Sequence, residues 1–86
     1  MNAYHLEIIA DLKRKQDDVE RNYRAARTEW ERLKVEQRNL LESDPYGDDI
    51  VECSKNIRAT FDYMMRLDDE STAIFTCYRA IEQNVA

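Results

Sequence analysis

The stretch Ser43-Asp44-Pro45-Tyr46-Gly47-Asp48-Asp49 holds the only proline and the only glycine of an 86-residue chain. Pro45 disfavours a helical conformation for Asp44, and Asp-Pro-x-Gly is a favoured four-residue turn. Folds with several strands need several turns, which draw heavily on glycine and proline. The chain therefore has the material for about one sharp reversal, which we place at residues 43–48.

Both sides of this turn carry apolar residues at alternating spacings of three and four, the pattern of coiled-coil packing. These seam positions in the first half are Ile9, Leu12, Gln16, Val19, Tyr23, Ala26, Trp30, Leu33, Gln37 and Leu40. Those in the second half are Ile50, Cys53, Ile57, Thr60, Met64, Leu67, Ser71, Ile74, Tyr78, Ile81 and Val85. The sequence predicts an all-α fold: an antiparallel two-helix coiled-coil hairpin that forms one domain over residues 1–86. We expect helices at about 3–42 and 49–84, and assembly into a four-helix bundle as a homodimer or with a partner.

Folding the chain at Pro45 pairs residues whose numbers sum to about 90, so that Ala26 faces Met64 across the seam. Large residues then meet small ones in several layers, as interdigitated packing requires. Gln16 and Gln37 either set this register as polar seam residues or turn their amides towards solvent. At the start of the second helix, Asp49 is the expected N-cap, with Glu52 three residues later.

The second half carries more apolar side chains than one seam can use. Phe61, Met65, Thr72 and Phe75 follow one another at spacings of 4, 7 and 3, and form a second stripe beside the seam. Either the helices rotate to bury these rings at the margin of the seam, or the stripe contacts a partner. We expect the second outcome. The predicted partner or dimer interface consists of Phe61, Met65, Phe75, Tyr63, Leu6 and the turn residue Tyr46, with Cys77, Ile8 and Leu41 close to it.

Composition excludes several classes of protein. The net charge is −5, and residues 43–86 carry the whole acidic excess, so nucleic acid is not an expected partner. The longest apolar run, Ile8-Ile9-Ala10, is far short of the roughly 20 residues that span a bilayer, so no membrane is expected either. Cys53 and Cys77, with His5 as the one histidine, cannot form a zinc site. We expect both thiols to be small buried hydrophobes in a reducing, cytoplasmic compartment. The sequence has no glycine-rich phosphate loop and no catalytic constellation, so no enzymatic activity, cofactor or metal is expected.

Two resemblances bear on function. Small secretion-system chaperones and needle subunits are hairpins of this length, and Ser43-Asp44-Pro45 resembles the turn of needle subunits over those three residues. The Rop-type RNA-binding bundle is a dimer of hairpins with a basic face on its first helix, which Lys13, Arg14, Arg21 and Arg24 resemble. We expect a non-enzymatic protein-binding hairpin, a chaperone, adaptor or inhibitor of the kind that viruses also encode. An RNA-binding dimer is the alternative.

Overall fold

A computed structural model describes residues 3–85 of the chain and the side chains of residues 3–83. Helix α1 spans Ala3–Ser43 and helix α2 spans Asp48–Val85, and no strand occurs in this part of the chain. The all-helical prediction is therefore confirmed. The molecule measures 62 × 15 × 14 Å, the extended shape of a helical hairpin.

The reversal lies where the proline and the glycine predict it. At the end of α1, the Asp44 backbone N–H donates to the Leu40 carbonyl at 2.7 Å. The Gly47 N–H donates to the Asp44 carbonyl at 3.3 Å and closes a four-residue turn with Pro45 and Tyr46 at its centre. No described residue has a positive φ, which fits a type I turn. That turn type favours aspartate first, proline second and glycine fourth.

The predicted cap of α2 is wrong by two residues. Because the helix already begins at Asp48, the N-cap position falls on Gly47, and Asp49 lies inside the first turn. Both aspartates there still stabilise the helix, since they lie at the positive end of its dipole. A Cβ atom at residue 47 would overlap the carboxylate of Asp44, so glycine permits the close approach of Asp44 to the start of α2.

The seam forms the core. Every seam position from Ile9 to Ile81 is buried or half-buried, whereas the side chain of Val85 lies outside the described residues. The buried residues are Val19, Ala26, Leu33, Ile50, Cys53, Met64, Leu67 and Ile74, and all of them occupy seam positions. Each still exposes a few per cent of its surface, because two helices alone cannot enclose a side chain completely.

Polar contacts across the seam match the predicted register. The Gln16 amide bonds to the Ser71 hydroxyl at 3.1 Å, and the Gln37 amide donates to the Ser54 hydroxyl at 3.1 Å. Farther along, the Tyr78 hydroxyl donates to the Ile9 carbonyl at 3.3 Å. The numbers of these three pairs sum to between 87 and 91. Both glutamines therefore bond across the seam, and the interpretation that they turn towards solvent is wrong.

Candidate partner interface

Three exposed apolar side chains lie along one side of α2: Phe61, Met65 and Phe75. We call them the α2 stripe. Their exposed fractions are 44%, 38% and 54%. At 3.6 residues per turn they fall within an arc of about 80° and span roughly 21 Å of the helix. The stripe is centred roughly 100° around α2 from the seam. It is thus a second, nearly perpendicular face of the same helix.

The stripe is not buried at the margin of the seam. Phe75 lines a shallow, open groove beside charged residues of both helices, among them Lys13, Asp17 and Arg79. More than half of its surface meets solvent. Rotation of the helices therefore does not bury the two phenylalanine rings. The alternative that they lie buried at the margin of the seam is wrong.

Tyr63 and Cys77 lie on the other flank of α2. Tyr63 follows Phe61 by two residues, which places it about 200° around the helix. It is exposed, and the guanidinium of Arg66 lies over its ring at 5.7 Å from the centroid. Cys77 is exposed as well, so the expectation that both thiols are buried is wrong for Cys77. Neither residue extends the α2 stripe.

The remaining predicted interface residues lie near the ends of the hairpin. Leu6 is exposed near the open end, and Tyr46 is 97% exposed at the tip of the turn. The two are separated by most of the length of α1, roughly 60 Å at 1.5 Å per residue. Leu41 is exposed near the turn, whereas Ile8 is half-buried. The six predicted residues do not form one surface, and only Phe61, Met65 and Phe75 share one face of a helix.

Cys53 is the second thiol, and its surroundings make it unreactive. It is buried in the seam, where its Sγ donates to the Leu33 carbonyl at 3.4 Å. Burial raises the pKa of the thiol, and the nearby charge of Glu36 raises it further. Because the thiolate is the reactive form, Cys53 serves as a small apolar residue of the core, as predicted.

The outer surface of α1 is covered by ion pairs between neighbouring turns. Arg14 bonds to Asp11, Arg21 bonds to Asp18, and Arg24 lies 3.8 Å from Glu20. These three arginines belong to the basic face that resembles an RNA-binding surface.

Each arginine of that face thus has a carboxylate beside it, which cancels much of the positive field that a phosphate backbone requires. Lys13, the fourth residue of the face, lies in the groove beside Phe75 and Asp17.

Sequence reasoning missed the role of Ser54, which lies one residue beyond the seam position Cys53. Its hydroxyl accepts the hydrogen bond of Gln37, just as Ser71 accepts that of Gln16. A signal was available, because the numbers 37 and 54 sum to 91 and so lie at one level of the predicted register. The hairpin consequently has two polar layers, one towards each end of the core.

The described residues lack the features of a metal site and of a membrane-spanning helix. No group of three or more histidine, cysteine, aspartate or glutamate side chains comes together there in a way that could hold a metal ion. Neither helix, over its described length, combines the extent and the apolar character needed to cross a bilayer. Comparison of the chain with protein-family models, with curated proteins and with solved structures finds no match.

Proposed function

We propose that this hairpin is a non-enzymatic protein–protein interaction module, a small chaperone, adaptor or inhibitor that binds through the α2 stripe. The observation that carries the proposal is the exposure of Phe61, Met65 and Phe75 along one face of α2 that the seam does not use. Burying a large apolar side chain contributes about 1.5–3 kcal/mol, which two phenylalanines left in water do not gain. A binding surface supplies that burial.

The shape of the hairpin supports the same proposal. A straight rod of two helices presents the stripe without obstruction, and an apolar helix face of this kind docks onto the helices or the groove of a partner. The compartment we propose is the cytoplasm, because both cysteines are free thiols.

The alternative, an RNA-binding dimer that uses Lys13, Arg14, Arg21 and Arg24, has less support. Three of these side chains are ion-paired within α1, and the whole chain carries a net charge of −5. Retention of nucleic acid that falls steeply with salt concentration would favour this alternative over the protein-binding module.

The test is a capture experiment with immobilised protein and lysates of candidate host cells. The working variant is Phe61→Glu/Phe75→Glu, which places two charges on the stripe. Its matched control is Val35→Glu/Leu41→Glu, which adds the same charge at two other exposed apolar positions. Circular dichroism of each variant establishes that helicity is retained.

We expect the native chain and the control to retain the same protein, and the stripe variant to lose it. Equal retention by all three would place binding elsewhere on the hairpin. A retained nucleic acid in place of a protein would favour the alternative function.

A further inference from the structure

The half of the hairpin nearest the turn carries opposite charges on its two flanks. Over residues 27–38 of α1 and 49–65 of α2, one flank has four cations and one carboxylate: Arg27, Lys34, Arg38, Arg58 and Glu31. The other flank has four carboxylates and one cation: Glu29, Glu36, Asp49, Glu52 and Arg32. The two remaining charges, Lys55 and Asp62, lie seven residues apart on the outward side of α2 and balance each other. We call the first of these the cationic flank and the second the acidic flank.

The cationic flank is the side of the hairpin that carries the α2 stripe. On α2, Arg58 lines a shallow groove and lies seven residues before Met65. On α1, the charged residues of this flank follow Lys13 or Asp17 at multiples of seven residues, and both of these line the groove beside Phe75. A spacing of seven keeps residues on one side of a helix in a coiled coil. The exposed apolar side chains and the excess of positive charge therefore share one surface.

The acidic flank lies on the opposite side of the seam. Its residues Arg32, Glu36, Asp49 and Glu52 line one groove between the helices. Glu29 belongs to the same flank, since it accepts a hydrogen bond from Arg32 at 2.9 Å. The two flanks thus differ in charge at the same level of the hairpin.

Three cations of the cationic flank are available to a ligand. Arg27 lies 3.3 Å from Glu31, which leaves Lys34, Arg38 and Arg58 in no ion pair within the described residues. The arginines on the outer surface of α1 differ in this respect, because neighbouring carboxylates already pair with them. Unpaired cations beside exposed apolar side chains complement a ligand that is both apolar and anionic.

We propose that the partner of the α2 stripe is an acidic amphipathic helix that lies along the cationic flank and packs on Phe61 and Met65. The inference rests on the proposed function, since it gives the chemistry of the partner for the same surface. The apolar face of the partner helix covers the two side chains. Carboxylates beside that face lie opposite Lys34, Arg38 and Arg58, and set the preference for this partner over others.

A nucleic acid fits this surface less well than a helix does. Three unpaired cations neutralise few phosphates, and the affinity for a phosphate backbone depends on how many are neutralised. Met65 also offers no ring on which a base can stack. An amphipathic helix satisfies the charges and the apolar side chains together.

The width of the hairpin makes the charge of one flank effective. The net charge of −5 would by itself favour a basic partner. At about 0.1 M salt the Debye length is roughly 10 Å, whereas the hairpin is 14–15 Å across. A ligand on one flank therefore responds mainly to the charges of that flank. The signature of the proposed site is that an acidic protein prefers an acidic ligand.

The test uses two fluorescent peptides of about 21 residues, which is three heptads. Both have leucine at the two apolar positions of each heptad, and the flanking positions are glutamate in one peptide and lysine in the other. Fluorescence anisotropy gives the dissociation constant of each peptide with the native chain. We expect the glutamate peptide to bind about tenfold more tightly, and the difference to shrink as salt is added.

The working variant is Lys34→Glu/Arg58→Glu, and its matched control is Lys15→Glu/Arg66→Glu. Each pair replaces one lysine and one arginine, so the net charge changes equally. Lys34 and Arg66 each lie over an aromatic ring, at 5.5 and 5.7 Å from its centroid, so both variants lose one such contact. Lys15 lies in the groove on the other side of the seam, beside Glu70. We expect the working variant to prefer the lysine peptide, and the control to keep the native preference, with helicity retained in both by circular dichroism.

A third variant, Phe61→Ala/Met65→Ala, separates the apolar contribution from the charges. Both side chains are exposed, so their removal leaves the seam intact. We expect weaker binding of both peptides to a similar degree, with the ratio of the two dissociation constants unchanged.

Four results would overturn the inference: no binding of either peptide, a native preference for the lysine peptide, equal effects of the working variant and its control, or displacement of the glutamate peptide by a single-stranded RNA of similar length. Growth of the native chain into longer assemblies with concentration would also overturn it, since the acidic flank of another copy would then be the occupant. None of these results decides the proposed function. A stripe that still captures a foreign protein would retain the interaction module and remove only the acidic helix as its partner.

Discussion

The two helices share one seam and differ in the ion pairs outside it. Each ion pair identified in the described chain joins residues three or four apart within α1. The outer surface of α2 instead carries the exposed apolar side chains of Val51, Phe61, Tyr63, Met65 and Phe75. The hairpin contact uses one face of each helix. Ion pairs link neighbouring turns along α1, which also exposes Tyr4, Leu6, Val35 and Leu41, whereas α2 exposes Phe61, Met65 and Phe75 along one face.

The largest loss of stability is expected from a substitution in the seam that the two helices share. Leu67 packs in the seam beside Val19 and Ile74, and we expect Leu67→Ala to lower the free energy of unfolding by about 2–4 kcal/mol. The reason is the apolar burial that is lost and the cavity that is left between the two helices. Urea unfolding followed by circular dichroism measures the change.

Leu41→Ala is the control for this prediction, because Leu41 is exposed on the outer surface of α1. It should change the free energy of unfolding by less than about 0.5 kcal/mol. Equal losses in the two variants would mean that the seam is not the core of the molecule.

The sequence predicts the seam and the turn far better than it predicts which residues are exposed on the flanks of the two helices. The seam and the reversal follow from heptad spacing and from one Asp-Pro-x-Gly segment, and both occur in the structure. Exposure on a flank is decided by the rotation of each residue around its helix. Residue type alone therefore misplaced Cys77, whose apolar character suggested burial. The same reasoning grouped Tyr63 with Phe61, although a spacing of two residues places them on opposite flanks.

A smaller effect on stability is expected when the two polar layers, to which both helices contribute, are replaced by apolar residues. Replacing Gln16 and Gln37 by leucine should raise the free energy of unfolding by about 1 kcal/mol, because apolar burial replaces a weak net hydrogen bond. The register should become less unique, since the bonds to Ser71 and Ser54 that favour one alignment are lost. Urea unfolding together with the number of amide resonances checks both parts. A fall in stability with a single set of sharp resonances would contradict this account of the layers.

The smallest effect on stability is expected from a substitution in the ion pairs on the outer surface of α1. Arg32 donates to Glu29 at 2.9 Å and to Glu36 at 3.1 Å, and its hydrogen bond to Glu29 holds the pKa of that carboxyl below its ordinary value. A lowered pKa in the folded chain stabilises it above the pKa of the unfolded chain. The contribution is lost as pH falls through the lowered value.

Glu29→Gln should therefore lower the melting temperature at neutral pH by only about 1 °C, because the pair is exposed and screened. The difference from the native chain should vanish in acid. Thermal unfolding across a pH series measures it. A large loss at neutral pH would mean that the ion pairs of α1 hold the hairpin together, contrary to the contrast drawn between the two helices.

The most direct test of the central claim is solvent paramagnetic relaxation, measured by nuclear magnetic resonance on the free hairpin and on its complex with the captured protein. Phe75 and Val35 are equally exposed in the hairpin, at 54% each, but lie on different helices. We expect the Phe61 and Phe75 ring protons to become protected from the paramagnetic agent in the complex, whereas the Val35 methyl protons remain accessible. Equal accessibility of all three in the complex would contradict the claim that the hairpin binds through the α2 stripe.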